Sequence, residues 1–163
     1  MRITTWNVNS IKQRLPHLLA FLEEARPDVV CLQELKCQDE AFPRADIEAA
    51  GYAVETLGQK AYNGVALLVR EPLTLSEIRR GLPGDASDEQ ARYIEALISG
   101  AETHPVRVAS IYLPNGNPVD SPKYAYKLAF IERLRLHARA LLQDEIAVVL
   151  AGDYNVIPEP ADA

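Results

Sequence analysis

AVVLAGDYN, residues 147–155, decides the fold. Small and branched apolar residues run without a break into Gly152, Asp153, Tyr154 and Asn155. An apolar run this short and continuous reads as a strand built for a dry core, expected over Ile146–Ala151. Ahead of it a long helix is expected, with Ser121 as its cap and Pro122 at its first position. Leu128, Ile131, Leu134, Ala138 and Leu141 keep the helical period. Val106–Leu113, before the helix, reads as another strand. A helical crossover joins parallel strands, so both strands of this unit end at one sheet edge.

The start of the chain repeats the arrangement. Ile3–Val8 reads as a strand, Pro16 as the opening of a helix, and Pro27 as its end. Leu15, Leu18, Leu19, Leu22 and Ala25 share one face of that helix, and Val29–Leu32 is a short buried strand. Between the two units, a small helix is expected over Arg44–Ala50, between Pro43 and Gly51. Tyr52–Leu57 and Val65–Val69 are expected as strands joined through Lys60–Gly64. Arg79–Asp88 reads as a loop around GLPGD, and Tyr93–Ser99 with Val106–Leu113 as a hairpin around SGAETHP. The class is α/β.

The chain has 163 residues, 48% hydrophobic and 25% charged, which suits one globular domain. Its longest apolar run falls well short of the roughly 20 residues of a membrane helix, and its first residues lack a signal-peptide core. The two cysteines, Cys31 in an apolar run and Cys37, form no zinc pattern. No membrane partner and a cytoplasmic location are expected. A net charge of −6 argues against a nonspecific nucleic-acid coat but leaves room for a local basic patch.

Polar residues collect where the strands end. WNVN places Asn7 and Asn9 at or just past the first strand, where turn chemistry is the plainer explanation. VVCLQELK places Gln33 and Glu34 after the second. A lone acid there is usually just solvated, but one withdrawn from water needs a cation or hydrogen bonds. IYLPNGN places Tyr112 at a strand end and Asn115 in a turn. In GDYN, Gly152 permits a close backbone approach, and Asp153 and Asn155 would share one side of an extended chain. An Asx turn is the alternative. Ligands in such sheets favour the carboxyl ends of strands, and one acid from each unit would flank one phosphate.

WNVN, LQELK, YNGVALL, IRRGLPGD, YLPNG and GDYN, in this order and spacing, resemble exonuclease III and the abasic-site endonucleases of the endonuclease/exonuclease/phosphatase superfamily. The resemblance runs from Met1 to about Pro158. It implies the N-terminal half of a four-layered α/β sandwich, with mixed sheets face to face and helices outside. It also implies that Glu34 binds a divalent metal, Mg²⁺ with Mn²⁺ as the alternative, with Asn7 beside it. Asp153 would orient or activate the attacking water and share in the metal, and Asn155 would hold the phosphate or order Asp153. Tyr112 would contact the phosphate, Asn115 and Arg92 would help at the site or along the DNA backbone, and Lys36 would contact phosphate. The substrate would be duplex DNA with abasic sites or 3′ ends.

Relatives of this kind continue past GDYN with a second half that carries the other sheet and a late Asp-His pair. Residues 1–163 are therefore expected to be the N-terminal part of a single nuclease domain within a longer protein. One sheet would show a bare inner face, open to self-association, and cleavage by these residues alone would be weak. IPEPADA is no natural closing element. His17, His104 and His137 read as structural or surface residues, His104 in a hairpin turn. Two other functions stand beside the nuclease: a non-catalytic half-domain that binds metal or DNA, and a phosphatase acting on a small phosphoester.

Overall fold

The structure, a computed structural model, describes residues 1–101, 103–157, 159 and 161. In chain order the elements are β1 (Ile3–Asn7), α1 (Ile11–Ala25), β2 (Val29–Gln33), α2 (Arg44–Ala49), β3 (Tyr52–Leu57) and β4 (Val65–Arg70). Then follow β5 (Thr74–Arg80), β6 (Tyr93–Gly100), β7 (Thr103–Tyr112), α3 (Pro122–Leu141) and β8 (Ala147–Asp153).

The strands form two four-stranded mixed sheets, ordered β1-β2-β4-β3 and β5-β6-β7-β8. β1 pairs parallel with β2, and β7 parallel with β8; the other neighbours are antiparallel. The sheets stack with β1 against β8, β2 against β7 and β4 against β6. The sequence explains the stacking residue by residue. In β2 and β4, Val29, Cys31, Val65, Leu67 and Val69 point inward, where they meet Ile94, Ala96, Ile98 and Val108 of the second sheet, all fully buried. The alternate residues Val30, Leu32, Ala66 and Leu68 point outward and pack under Leu18 and Leu22 of α1. On the far side Phe130 and Leu134 of α3 cover Tyr93, Ala109 and Ile111. Each valine, leucine, isoleucine or phenylalanine among them contributes about 1.5–3 kcal/mol by leaving water. The result is four layers: helix, sheet, sheet, helix.

This corrects the expected bare sheet. Both sheets come from the residues described here, and the inner face of each is covered by the other, so the apolar ground for self-association through that face is gone. Part of IPEPADA lies outside the described residues.

Smaller corrections follow from local physics. α1 starts at Ile11, because β2's end holds its first turn: Ser10 and Ile11 N–H donate to Glu34 and Leu35 carbonyls at 2.8 and 3.2 Å. Pro16 therefore sits inside the helix, with its ring exposed. In α3 the buried residues are Phe130, Leu134 and Leu141, while Leu128 and Ile131 are exposed. The Ser121 hydroxyl donates to Pro118 O at 2.6 Å instead of capping the helix. β5 occupies part of the expected loop. A bulge between Ser76 and Arg79, with Glu77 at φ 49°, breaks the alternation by which such an edge strand is read. His104 lies in β7, not in a turn.

Candidate active site

The two parallel pairs end in register: Asn7 is opposite Gln33, and Tyr112 is opposite Asp153. Because β1 stacks on β8 and β2 on β7, all four ends reach the same edge of the sandwich. Gln33 is buried beneath this edge and donates to Thr5 Oγ1 at 3.1 Å and to Ser110 Oγ at 2.9 Å. Ser110 in turn donates to Leu32 O at 2.9 Å, so β1, β2 and β7 are pinned together under the site.

Asn7 stands at the centre. Its Nδ2 donates to Glu34 Oε1 at 2.9 Å and to Asp153 Oδ2 at 2.8 Å, and its Oδ1 accepts the Asn9 N–H at 3.0 Å. One amide therefore holds two carboxylates from different sheets within two hydrogen bonds of each other. Tyr112 OH donates to the same Glu34 Oε1 at 2.8 Å, and Lys36 Nζ lies 3.0 Å from Glu34 Oε2. Lys36 also donates to Asn9 Oδ1. Glu34 can reach inward because it leaves β2 at φ 56°, and Lys36 follows at φ 55°. Asn9, Asn63 and Asn155 near the same edge also have positive φ. Such backbone is sparsely populated and concentrates at functional sites.

Partial burial pushes the Glu34 carboxyl up. The hydrogen bonds from Asn7, Lys36 and Tyr112, with the Lys36 charge, more than reverse that and hold it below its usual range. Burial, then the bond and charge of Glu34, push the Tyr112 phenol up to about 12. At neutral pH it is a donor beside an ionised acid.

Arg92 is a support for Tyr112. Its guanidinium lies 4.9 Å from the ring centroid, and its NH1 donates to Tyr112 O at 3.3 Å. Gly152 is required by the pairing of β8 with β7: a Cβ there would fall 2.0 Å from the Ile111 carbonyl oxygen. Asn155 turns back at φ 47°, so the chain is not extended there and the Asx turn is present: Asn155 N–H donates to Asp153 Oδ1 at 2.9 Å. Its Nδ2 donates to Leu113 O at 2.7 Å, which ties the turn to the end of β7. Asn115 lies at the rim, where its Oδ1 accepts the Asn117 N–H at 3.0 Å. A cleft of about 460 Å³ runs between Asn115 and Asn117 on one side and Asp153 to Ile157 on the other.

The eight residues to which the resemblance gives roles thus reach one edge, with Arg92 behind Tyr112 and Asn115 at the margin. Lys127, on α3, went unnoticed. Its Nζ donates to the Asn115 carbonyl at 3.2 Å and the Asn155 carbonyl at 2.8 Å. Nothing in its sequence surroundings separates it from an ordinary solvated helix lysine. The two carboxylates, Glu34 and Asp153, suit a small hard cation that takes one or two carboxylates and keeps its waters. Among the described residues no group of three or more His, Cys, Asp or Glu side chains forms a closed metal cage. None of the three histidines borders the cleft, and His137 bonds Glu95 at 2.7 Å elsewhere. No helix among the described residues is long and apolar enough to cross a membrane.

The sequence pattern of the Endonuclease/Exonuclease/phosphatase family matches residues 4–163. The chain belongs to this family. Exodeoxyribonuclease III of Haemophilus influenzae is 34% identical over 163 residues, covering 99% of this chain and 60% of that protein. A 3′-5′ exonuclease from Neisseria meningitidis superposes with a TM-score of 0.90 at 39% identity, over 100% of this chain and 61% of that one. An AP endonuclease from Archaeoglobus fulgidus superposes with a TM-score of 0.83 at 39% identity, over 98% of this chain and 59% of that one. The chain thus spans about 60% of the length of these three relatives. The likeness extends to the two mixed sheets with outer helices, the fold of this family.

Proposed function

We propose that this chain carries the metal and phosphate side of a DNA-repair nuclease that hydrolyses phosphodiesters of duplex DNA, at abasic sites or at 3′ ends. The observation that carries the reading is the Asn7 amide held between Glu34 and Asp153. A relative that is 38% identical, solved with a product DNA hairpin and described as a 3′ phosphatase, supports a phosphate at a DNA 3′ end as the group acted upon.

Glu34 and Asp153, aligned by Asn7, would hold a divalent cation, Mg²⁺ or Mn²⁺. Bound there, the cation would neutralise charge on the phosphate. Tyr112, protonated and fixed by Arg92, would donate to a phosphate oxygen on which charge grows. Asp153 would take the proton of the attacking water, its carboxylate ordered by the Asn155 N–H. A bond would form from the water oxygen to phosphorus, the bond to the leaving oxygen would break, and that oxygen would take up a proton from solvent. Phosphoryl transfer asks mainly for such positioning and charge stabilisation. With no imidazole at the cleft among the described residues, turnover by these residues alone is expected to be slow, since one positioned proton-transfer group is worth about 10²–10⁴-fold.

The test is cleavage of a duplex with one abasic site, and of a blunt duplex, with Mg²⁺ and with EDTA. Mg²⁺-dependent cutting that disappears in Glu34→Gln supports the reading. Phosphate release from a soluble phosphoester without any action on DNA would replace it with the small-molecule phosphatase, and DNA binding without cleavage with the half-domain.

A further inference from the structure

We infer that Lys127 is a positioning residue for the cleft: a clamp, reaching from α3, that sets the gap between the loop after β7 and the loop after β8. The inference rests on the proposed function for its catalytic meaning, but its structural content stands apart. The two loops are joined near the sheet by Leu113 N–H to Asp153 O at 2.9 Å and by Asn155 Nδ2 to Leu113 O at 2.7 Å. Past that point the chains diverge to form the cleft. Lys127 Nζ then reaches both, through the Asn115 and Asn155 carbonyls at 3.2 and 2.8 Å.

The fold makes room for the clamp. Gly116 sits at φ +75°, and a Cβ there would lie 2.7 Å from Lys127 Cδ and 3.2 Å from its Cβ. The absent side chain is thus the space through which the lysine stem runs. Tyr126, one residue earlier on α3, donates to Asp88 at 3.0 Å, and Arg133 pairs with Asp88 at 2.7 Å. The helix that carries Lys127 is therefore anchored independently of the cleft. Because both acceptors are main-chain carbonyls, the clamp acts on loop geometry and leaves the side chains of Asn115 and Asn155 to the site. Each contact is charge-assisted, stronger than a neutral hydrogen bond.

The experiment compares Lys127→Met, which keeps the stem and loses the donor, with Lys127→Arg, which keeps a donor and the charge. Backbone hydrogen exchange is followed at residues 115–117 and 154–157 of the whole chain. In Lys127→Met, exchange should rise about tenfold in both segments together, with little change in the core strands. Lys127→Arg should restore most of the protection. Gly116→Ala, which crowds the stem, should loosen both segments as Lys127→Met does and add little to it in the double variant. Where the parent chain cleaves DNA, Lys127→Met should lower kcat about 10–100-fold and move KM less than threefold. A parent chain that fails to cleave defeats the proposed function and leaves the exchange result to decide the clamp. Loosening of one segment only, of neither, or no rescue by arginine would overturn it.

Discussion

Replacing Asn7 with alanine tests the centre of the site without requiring activity. The change removes one amide that donates to Glu34 at 2.9 Å and to Asp153 at 2.8 Å. A hydrogen bond to a charged group contributes about 1.5–3 kcal/mol where water cannot replace it. The Glu34 side chain is 20% exposed and keeps Tyr112 and Lys36, so water and the remaining donors recover part of the loss. A net cost of about 1–3 kcal/mol follows, or a fall in Tm of roughly 3–10 °C at this chain length. The pH dependence identifies the cause. Burial raises the Glu34 pKa, and the bonds from Asn7, Lys36 and Tyr112 bring the folded value below the ordinary 4.5. A carboxyl whose pKa drops on folding stabilises the protein above its unfolded value. That stabilisation disappears as the pH falls through the folded value. The deficit of Asn7→Ala should therefore be complete at neutral pH and shrink as the pH falls below the ordinary 4.5 and through the folded value. Urea unfolding in EDTA at neutral and acid pH measures it, with the slope unchanged between the two proteins. An equal deficit at both pH values would mean that the amide does not act on an ionised Glu34, and would refute this account of the site.

Tyr112→Phe keeps the ring under Arg92 and removes the donor to Glu34; where the parent cleaves DNA, kcat should fall about 10²-fold with Tm within a few degrees. Gly152→Ala places a methyl 2.0 Å from a main-chain oxygen that cannot swing aside; unfolding titrations should show a loss of about 3 kcal/mol. Glu95 is buried beneath α3, where it accepts from Arg79 at 3.0 Å and lies 2.7 Å from His137 Nε2. Glu95→Ala leaves the Arg107 and His137 side chains without it, and calorimetry should report a destabilisation of about 3–5 kcal/mol.

The two parallel units were legible in the sequence because in each a strand-like segment and a helix lead into an uninterrupted apolar run, VVCL at 29–32 and IAVVLA at 146–151. The polar edge followed, since Glu34, Tyr112 and Asp153 are polar residues placed where those strands end. The partition into two sheets was not legible. β4 pairs antiparallel beside β2 while β6 and β7 join a different layer, and only the packing of Val65 and Leu67 against Ile94 and Ala96 decides that. β5 was hidden by its bulge, which moves the inward position from Leu75 to Ile78. The face of α3 was misread because Leu128 and Ile131 share the helical period, although Phe130 is the residue that meets the sheet. Lys127 escaped notice because its partners are carbonyls from two distant loops, which no local pattern announces.

Asn7 and Glu34 belong to one layer of the sandwich, Tyr112 and Asp153 to the other. Whatever grips both acids also rivets the layers together, so occupancy and the docking of the sheets draw on a single free energy. On the proposed function, a chain with only one layer formed would hold neither cation nor phosphate, and a filled site would resist shear between the layers.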